Sequence, residues 1–119
     1  MRPISTRTHG LIDYIFSATL LTLPFALRWH GRAAQLSISA GLATLGVSLM
    51  TNYEWGAARV LPMKAHLGID AAENSMLMSA PKIVGGEDRA AGRVLAVLGT
   101  VGAAIGTMTK TQSPLELPA

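Results

Sequence analysis

"HGLIDY" occupies His9 to Tyr14 and "HLGID" occupies His66 to Asp70. Each places a His and an Asp four residues apart at the head of an apolar run. Four residues is slightly more than one helical turn, so each pair shares a helix face. Their separation of 57 residues is also a register for the whole chain. Slid by 57, Arg2 falls on Arg59, Arg7 on Lys64, Ile12 on Ile69, Leu20 on Leu77 and Pro24 on Pro81. Arg32 then falls on Arg89, and Ala33-Ala34 on Ala90-Ala91, after which the match fades. The chain reads as a tandem repeat. Repeat one covers about 2–51 and repeat two about 59–109, with a C-terminal tail at 110–119, all in one domain of 119 residues.

Working outward, four apolar runs appear: Thr8 to Leu27, Ala33 to Thr51, Lys64 to Val84 and Arg89 to Met108. Each is about 20 residues, the length of a helix that crosses a bilayer. Half of all residues are hydrophobic and only 14% are charged, against roughly 25% in an ordinary soluble domain. Small residues recur at helical spacing: Ser37 and Gly41, Gly46 and Ser48, and Gly99, Gly102 and Gly106. Such spacing lets helix backbones approach closely in a membrane. The expected fold is all-α: an integral membrane four-helix bundle of two tandem hairpins with pseudo-twofold symmetry. A water-soluble four-helix bundle is the alternative.

The links fit this reading. "RWHGR" and "GGEDR" are short, Gly-bearing turns. "NYEWGAARVLPM" is the longer middle link, and its Tyr53 and Trp55 suit a membrane–water interface. Pro24 and Pro81 fall near the far ends of the first and third helices, where they end or bend them. The tail, with its prolines, is expected outside the bundle. Basic residues divide five against five between the two faces, so the positive-inside rule assigns no orientation.

Composition also removes functions. There is no cysteine, hence no disulfide, thiolate zinc site or thiol nucleophile. The ten basic residues are scattered, so there is no nucleic-acid footprint. Gly85-Gly86 lacks a P-loop continuation, and no GxSxG occurs. No catalytic residue is identified.

"THGLIDYIFSATLLTLPFAL", "SLMTNYEWGAARVLPMKAHLGID" and "MSAP" together resemble the SPW-repeat family of small bacterial membrane proteins, over about Thr6 to Thr109. The Ser-Pro-Trp positions read Leu23-Pro24-Phe25 and Ala80-Pro81-Lys82, with both tryptophans replaced. The resemblance implies a four-helix fold in the bacterial inner membrane. It implies no established activity.

The tandem topology brings His9, Asp13, His66 and Asp70 to one membrane face, with Lys64, Asn52, Tyr53 and Glu54. Glu73, one turn past Asp70, has Phe16 as its counterpart and breaks the repeat. Ionisable groups within spans face the bundle interior and are functional candidates. Three readings follow. The first is a structural or accessory membrane protein whose His/Asp pairs lock the repeats together. The second is a metal- or haem-binding, redox-associated protein with His9, His66, Asp13 and Asp70 as ligands. The third is a proton or ion pathway through Glu73. Expected partners are the lipid bilayer and a second copy or another membrane subunit.

Overall fold

The computed structural model describes residues 2–118 and is helical throughout. Helix α1 spans Thr6–Ala26, α2 Gly31–Met50, α3 Met63–Met78, α4 Ala80–Val84 and α5 Arg89–Met108. Short 3-10 helices follow at Gly85–Glu87 and Pro114–Glu116. The helix starts are capped as their sequences allow. The Ser5 hydroxyl accepts from the Thr8 amide, and Asp88 accepts from the Ala91 amide, each satisfying a free N–H of the first turn. Helix α1 packs on α2, α3 on α5, and α4 on α5.

The third run is two helices, not one. It breaks at Ser79, two residues before Pro81. Its counterpart runs unbroken through Pro24 to Ala26, and one hydrogen bond supports it there. A helical proline frees the carbonyl four residues earlier. At Pro24 that carbonyl belongs to Leu20, and the buried Ser37 hydroxyl donates to it at 2.6 Å. In the second half the buried position matching Ser37 is Leu95, which has no donor. Ser37→Ala should therefore cost about 1–3 kcal/mol, the range for a buried acceptor left unsatisfied. Chemical unfolding in detergent measures the loss, with faster amide exchange between Leu20 and Leu27 as its local signature.

Matching Ser37 with Leu95 uses a register of 58, because the third run, Met63 to Val84, is one residue longer than Thr6 to Ala26. In that register Gly41 corresponds to Gly99 and Thr51 to Thr109. The two glycines mark the crossings of α1 with α2 and of α3 with α5. A Cβ on Gly41 would lie 2.8 Å from Leu21 Cγ, and one on Gly99 would lie 2.7 Å from the Asn74 carbonyl. Gly46 and Gly106 have nothing within 4 Å and hold no such contact.

Over α1 and α2 the buried residues are mostly small or polar and the exposed ones include large apolar side chains. Helix α1 buries Thr6, His9, Gly10, Asp13, Ser17, Leu20 and Pro24, mostly small or polar residues. Leu11, Ile15 and Phe25 of the same helix are exposed. Helix α2 buries Ser37, Gly41, Thr44 and Ser48 and exposes Leu42 and Leu49. Helix α5 buries Ala91, Gly92, Leu95 and Gly99 and exposes Val97, Val101 and Met108. Two of the four expected spans, α2 and α5, are long and apolar enough to cross a membrane. The other two runs are diluted by the polar residues they bury, and α3 has only 16 residues.

The C-terminal tail is docked rather than outside. Its Ser113 is buried and donates to the Asn52 carbonyl at 2.5 Å. Glu116 accepts from the Met63 amide at the start of α3 at 3.2 Å, where the helix dipole favours a negative charge.

Candidate metal centre

His9, Asp13, His66 and Asp70 converge, as the repeated motif predicts. One donor atom from each lies within 4.8 Å of all the others, and all four residues are buried. His9 Nε2 is 3.1 Å from Asp13 Oδ1 and 3.0 Å from Asp70 Oδ2. His66 Nε2 is 3.0 Å from Asp13 Oδ2 and 3.0 Å from Asp70 Oδ2. Each His thus meets the Asp of its own helix and the Asp of the other. Asp13 turns one oxygen to each ring, while Asp70 turns a single oxygen to both. The rings stand edge to face with centroids 5.3 Å apart. That contact leaves no gap for a macrocycle, so haem ligation between His9 and His66 does not fit. Helices α1 and α3 are not among the closely packed pairs; these long side chains bridge them.

Two residues that the sequence reading missed orient the rings. Thr51 Oγ1 lies 2.6 Å from His66 Nδ1, and Thr109 Oγ1 lies 2.7 Å from His9 Nδ1. Each threonine follows the last residue of its helix. Each hydroxyl also donates to the carbonyl four residues back, Thr51 to Val47 at 2.6 Å and Thr109 to Ile105 at 2.7 Å. A hydroxyl has one proton. With that proton given to the carbonyl, the oxygen can only accept from the ring, so Nδ1 carries the hydrogen in both histidines. Both Nε2 atoms then face the carboxylates. His9 Nε2 is in hydrogen-bonding geometry with Asp70. His66 Nε2 is close to two carboxylate oxygens yet hydrogen-bonded to neither. It points between them.

Tyr53 belongs to the site and is not an interface anchor. It is fully buried, its hydroxyl donates to Asp13 Oδ2 at 3.0 Å, and its ring lies against His66. Burial, and then the Asp13 charge, push its phenol up, so it stays protonated and donates. Gly10 makes room for it. A Cβ there would lie 2.9 Å from Tyr53 Cε2 and would overlap the Trp55 ring. Trp55 is partly exposed and donates to the Arg7 carbonyl.

Glu54 stands outside the quartet and accepts from the Thr6 hydroxyl at the start of α1. Glu73 lies deeper. Thr44 donates to its Oε2, while its Oε1 is buried without a partner. Beside it the buried Asn74 also has an unpartnered Oδ1. Both line a cavity of about 20 Å³ that borders His9, Asp13 and Asp70.

Two imidazole nitrogens and two carboxylates, ringed by oriented partners, form a donor set that could hold a metal ion. No family model, curated protein or solved structure matches the chain.

Proposed function

We propose that this chain is a four-helix membrane protein that holds a divalent transition-metal ion of the zinc class between its two tandem hairpins. The carrying observation is the committed orientation of the two histidines. Thr51 and Thr109 fix hydrogen on Nδ1 and aim both Nε2 atoms at two carboxylates. Histidines that ligate metals are held in this way, with the second nitrogen donating to a fixed acceptor. Spacing supports the same reading. A tetrahedral zinc with bonds of about 2.0 Å sets its donors about 3.3 Å apart. With Asp13 Oδ2 as its donor, three His–Asp separations are 3.0 Å, and the four donors all lie within 4.8 Å of one another, close enough for one small cation to gather them. An ion would also use the His66 nitrogen that no hydrogen bond uses.

The membrane setting draws on the inside-out polarity of α1 and α2 and on the exposed apolar side chains of α5. A contiguous exposed apolar surface marks contact with a partner or with lipid, and small and polar residues between helices are the membrane mode of packing. The SPW-repeat resemblance agrees with it.

A metal-free interlock is the second reading, favoured by the His9–Asp70 hydrogen bond at 3.0 Å. Two imidazolium rings and two carboxylates would then form a neutral quartet tying the hairpins together.

Elemental analysis of untagged protein in mild detergent separates the two readings. The metal reading expects about one zinc-class ion per chain, lost in a His9→Ala/His66→Ala variant. A folded protein that stays metal-free after incubation with zinc, manganese and ferrous iron would establish the interlock instead. Release by carbonate without detergent would remove the membrane setting.

A further inference from the structure

We propose that the quartet leaves the ion a fifth, exchangeable coordination position, filled by one water molecule in the cavity against Glu73 and Asn74. This rests on the metal reading above and says what the site can take up.

The cavity has about 20 Å³ of free volume. Roughly 10–15 Å³ on this measure admits one water, so it holds one and not a cluster. Glu73 Oε1 and Asn74 Oδ1 line it as buried acceptors without donors. The other Glu73 oxygen is already used by Thr44. A single water satisfies both acceptors by donating both its protons. Its lone pairs then face the remaining wall, which is Ile12, Phe16, Thr44, Gly102 and Ile105 and, on the quartet side, His9, Asp13 and Asp70. The carboxylates there are acceptors too. A cation in the quartet gives that lone pair a partner. Two orphan acceptors around a space for one water suit a metal-bound water.

The two unpartnered acceptors both belong to the second repeat. The counterparts of Glu73 and Asn74 are Phe16 and Ser17, and Ser17 spends its hydroxyl on the Gly41 carbonyl at 2.8 Å. One half of the molecule therefore closes the space with a ring, and the other half opens it to hydrogen bonding. Asn74 and Gly102 line both the cavity and a surface groove of about 370 Å³ with Arg2 and Lys64 along it. The basic side chains favour small anions, so the position should accept water or a small monodentate anion.

The test uses full-length protein in detergent loaded with Co²⁺, titrated with azide and followed by visible absorption. Wild type should show the weak bands of five-coordinate cobalt, and azide should shift them saturably. Glu73→Phe writes the first repeat's residue into the second. It should still bind Co²⁺, with bands several-fold more intense, as tetrahedral cobalt gives, and no response to azide. Should that variant fail to fold, Glu73→Gln keeps the cavity and should retain both the weak bands and the azide shift. Intense tetrahedral bands in wild type, blind to azide, would overturn the fifth position. Unchanged five-coordinate bands in Glu73→Phe would overturn its assignment to this cavity. Absence of Co²⁺ binding in wild type would overturn the metal reading itself, an outcome distinct from either.

Discussion

His66→Ala should lower the unfolding free energy by about 3–5 kcal/mol, the loss seen when one member of a buried charged set is removed. His66 is wholly buried, and its Nε2 lies 3.0 Å from both carboxylates. Without it, Asp13 and Asp70 share one ring, and Thr51 loses the N–H its hydroxyl accepts. His9→Ala should do comparable damage, because His9 faces the same two carboxylates and has Thr109 where His66 has Thr51. The double variant should lose clearly less than the sum, since the second removal acts on a quartet already broken. A bound ion adds its own stabilisation by mass action. Wild type should therefore melt higher with added zinc than with chelator, while neither single variant responds. Unfolding in detergent, with and without zinc, gives all four comparisons. Additive losses in the double variant would mean that the two histidines act apart and that no quartet exists.

The quartet was legible because its chemistry is written twice. His9/Asp13 and His66/Asp70 share a spacing and a register, and a tandem repeat of hairpins must bring such pairs together. The threonines that orient the rings were hidden by a single residue. The register of 57 that aligns the histidines sets Thr51 on Met108. One extra residue in the third run moves the true correspondence to Thr109, so one gap would have found it. Tyr53 was read for its amphipathic ring, which suits an interface. Nothing in its own neighbourhood says that the link folds back over Gly10 and buries it. Asn74 carries no motif at all; it becomes notable only through the cavity that Gly102 and Phe16 leave beside it. The break at Ser79 was out of reach for a related reason. Pro24 and Pro81 look alike in sequence, and the tertiary contact from Ser37 supports only the first.

Glycine packing makes a prediction that links fold to site. A Cβ on Gly99 would sit 2.7 Å from the Asn74 carbonyl oxygen, 2.8 Å from Leu77 Cβ and 2.8 Å from the Met78 nitrogen. These are backbone and Cβ atoms, which cannot swing away, so α5 must move off α3. Such overpacking costs about 1–3 kcal/mol, against which alanine's better helix propensity returns at most about 1 kcal/mol. Gly99→Ala should therefore be destabilising. Gly106→Ala, at a position with nothing within 4 Å, should be neutral or mildly stabilising. Gly41→Ala should fall between them, because its nearest neighbour is the flexible Leu21 side chain. The displacement at Gly99 also reaches the quartet. Thr109, at the end of the same helix, holds His9 Nδ1 at 2.7 Å, and losing an orienting partner typically weakens metal affinity about 10–100-fold. Gly99→Ala should then weaken zinc binding while Gly106→Ala leaves it unchanged, as read by competition with a chromophoric chelator. Equal stability and equal zinc affinity in the two variants would mean that α5 has freedom against α3 that the Gly99 contact denies.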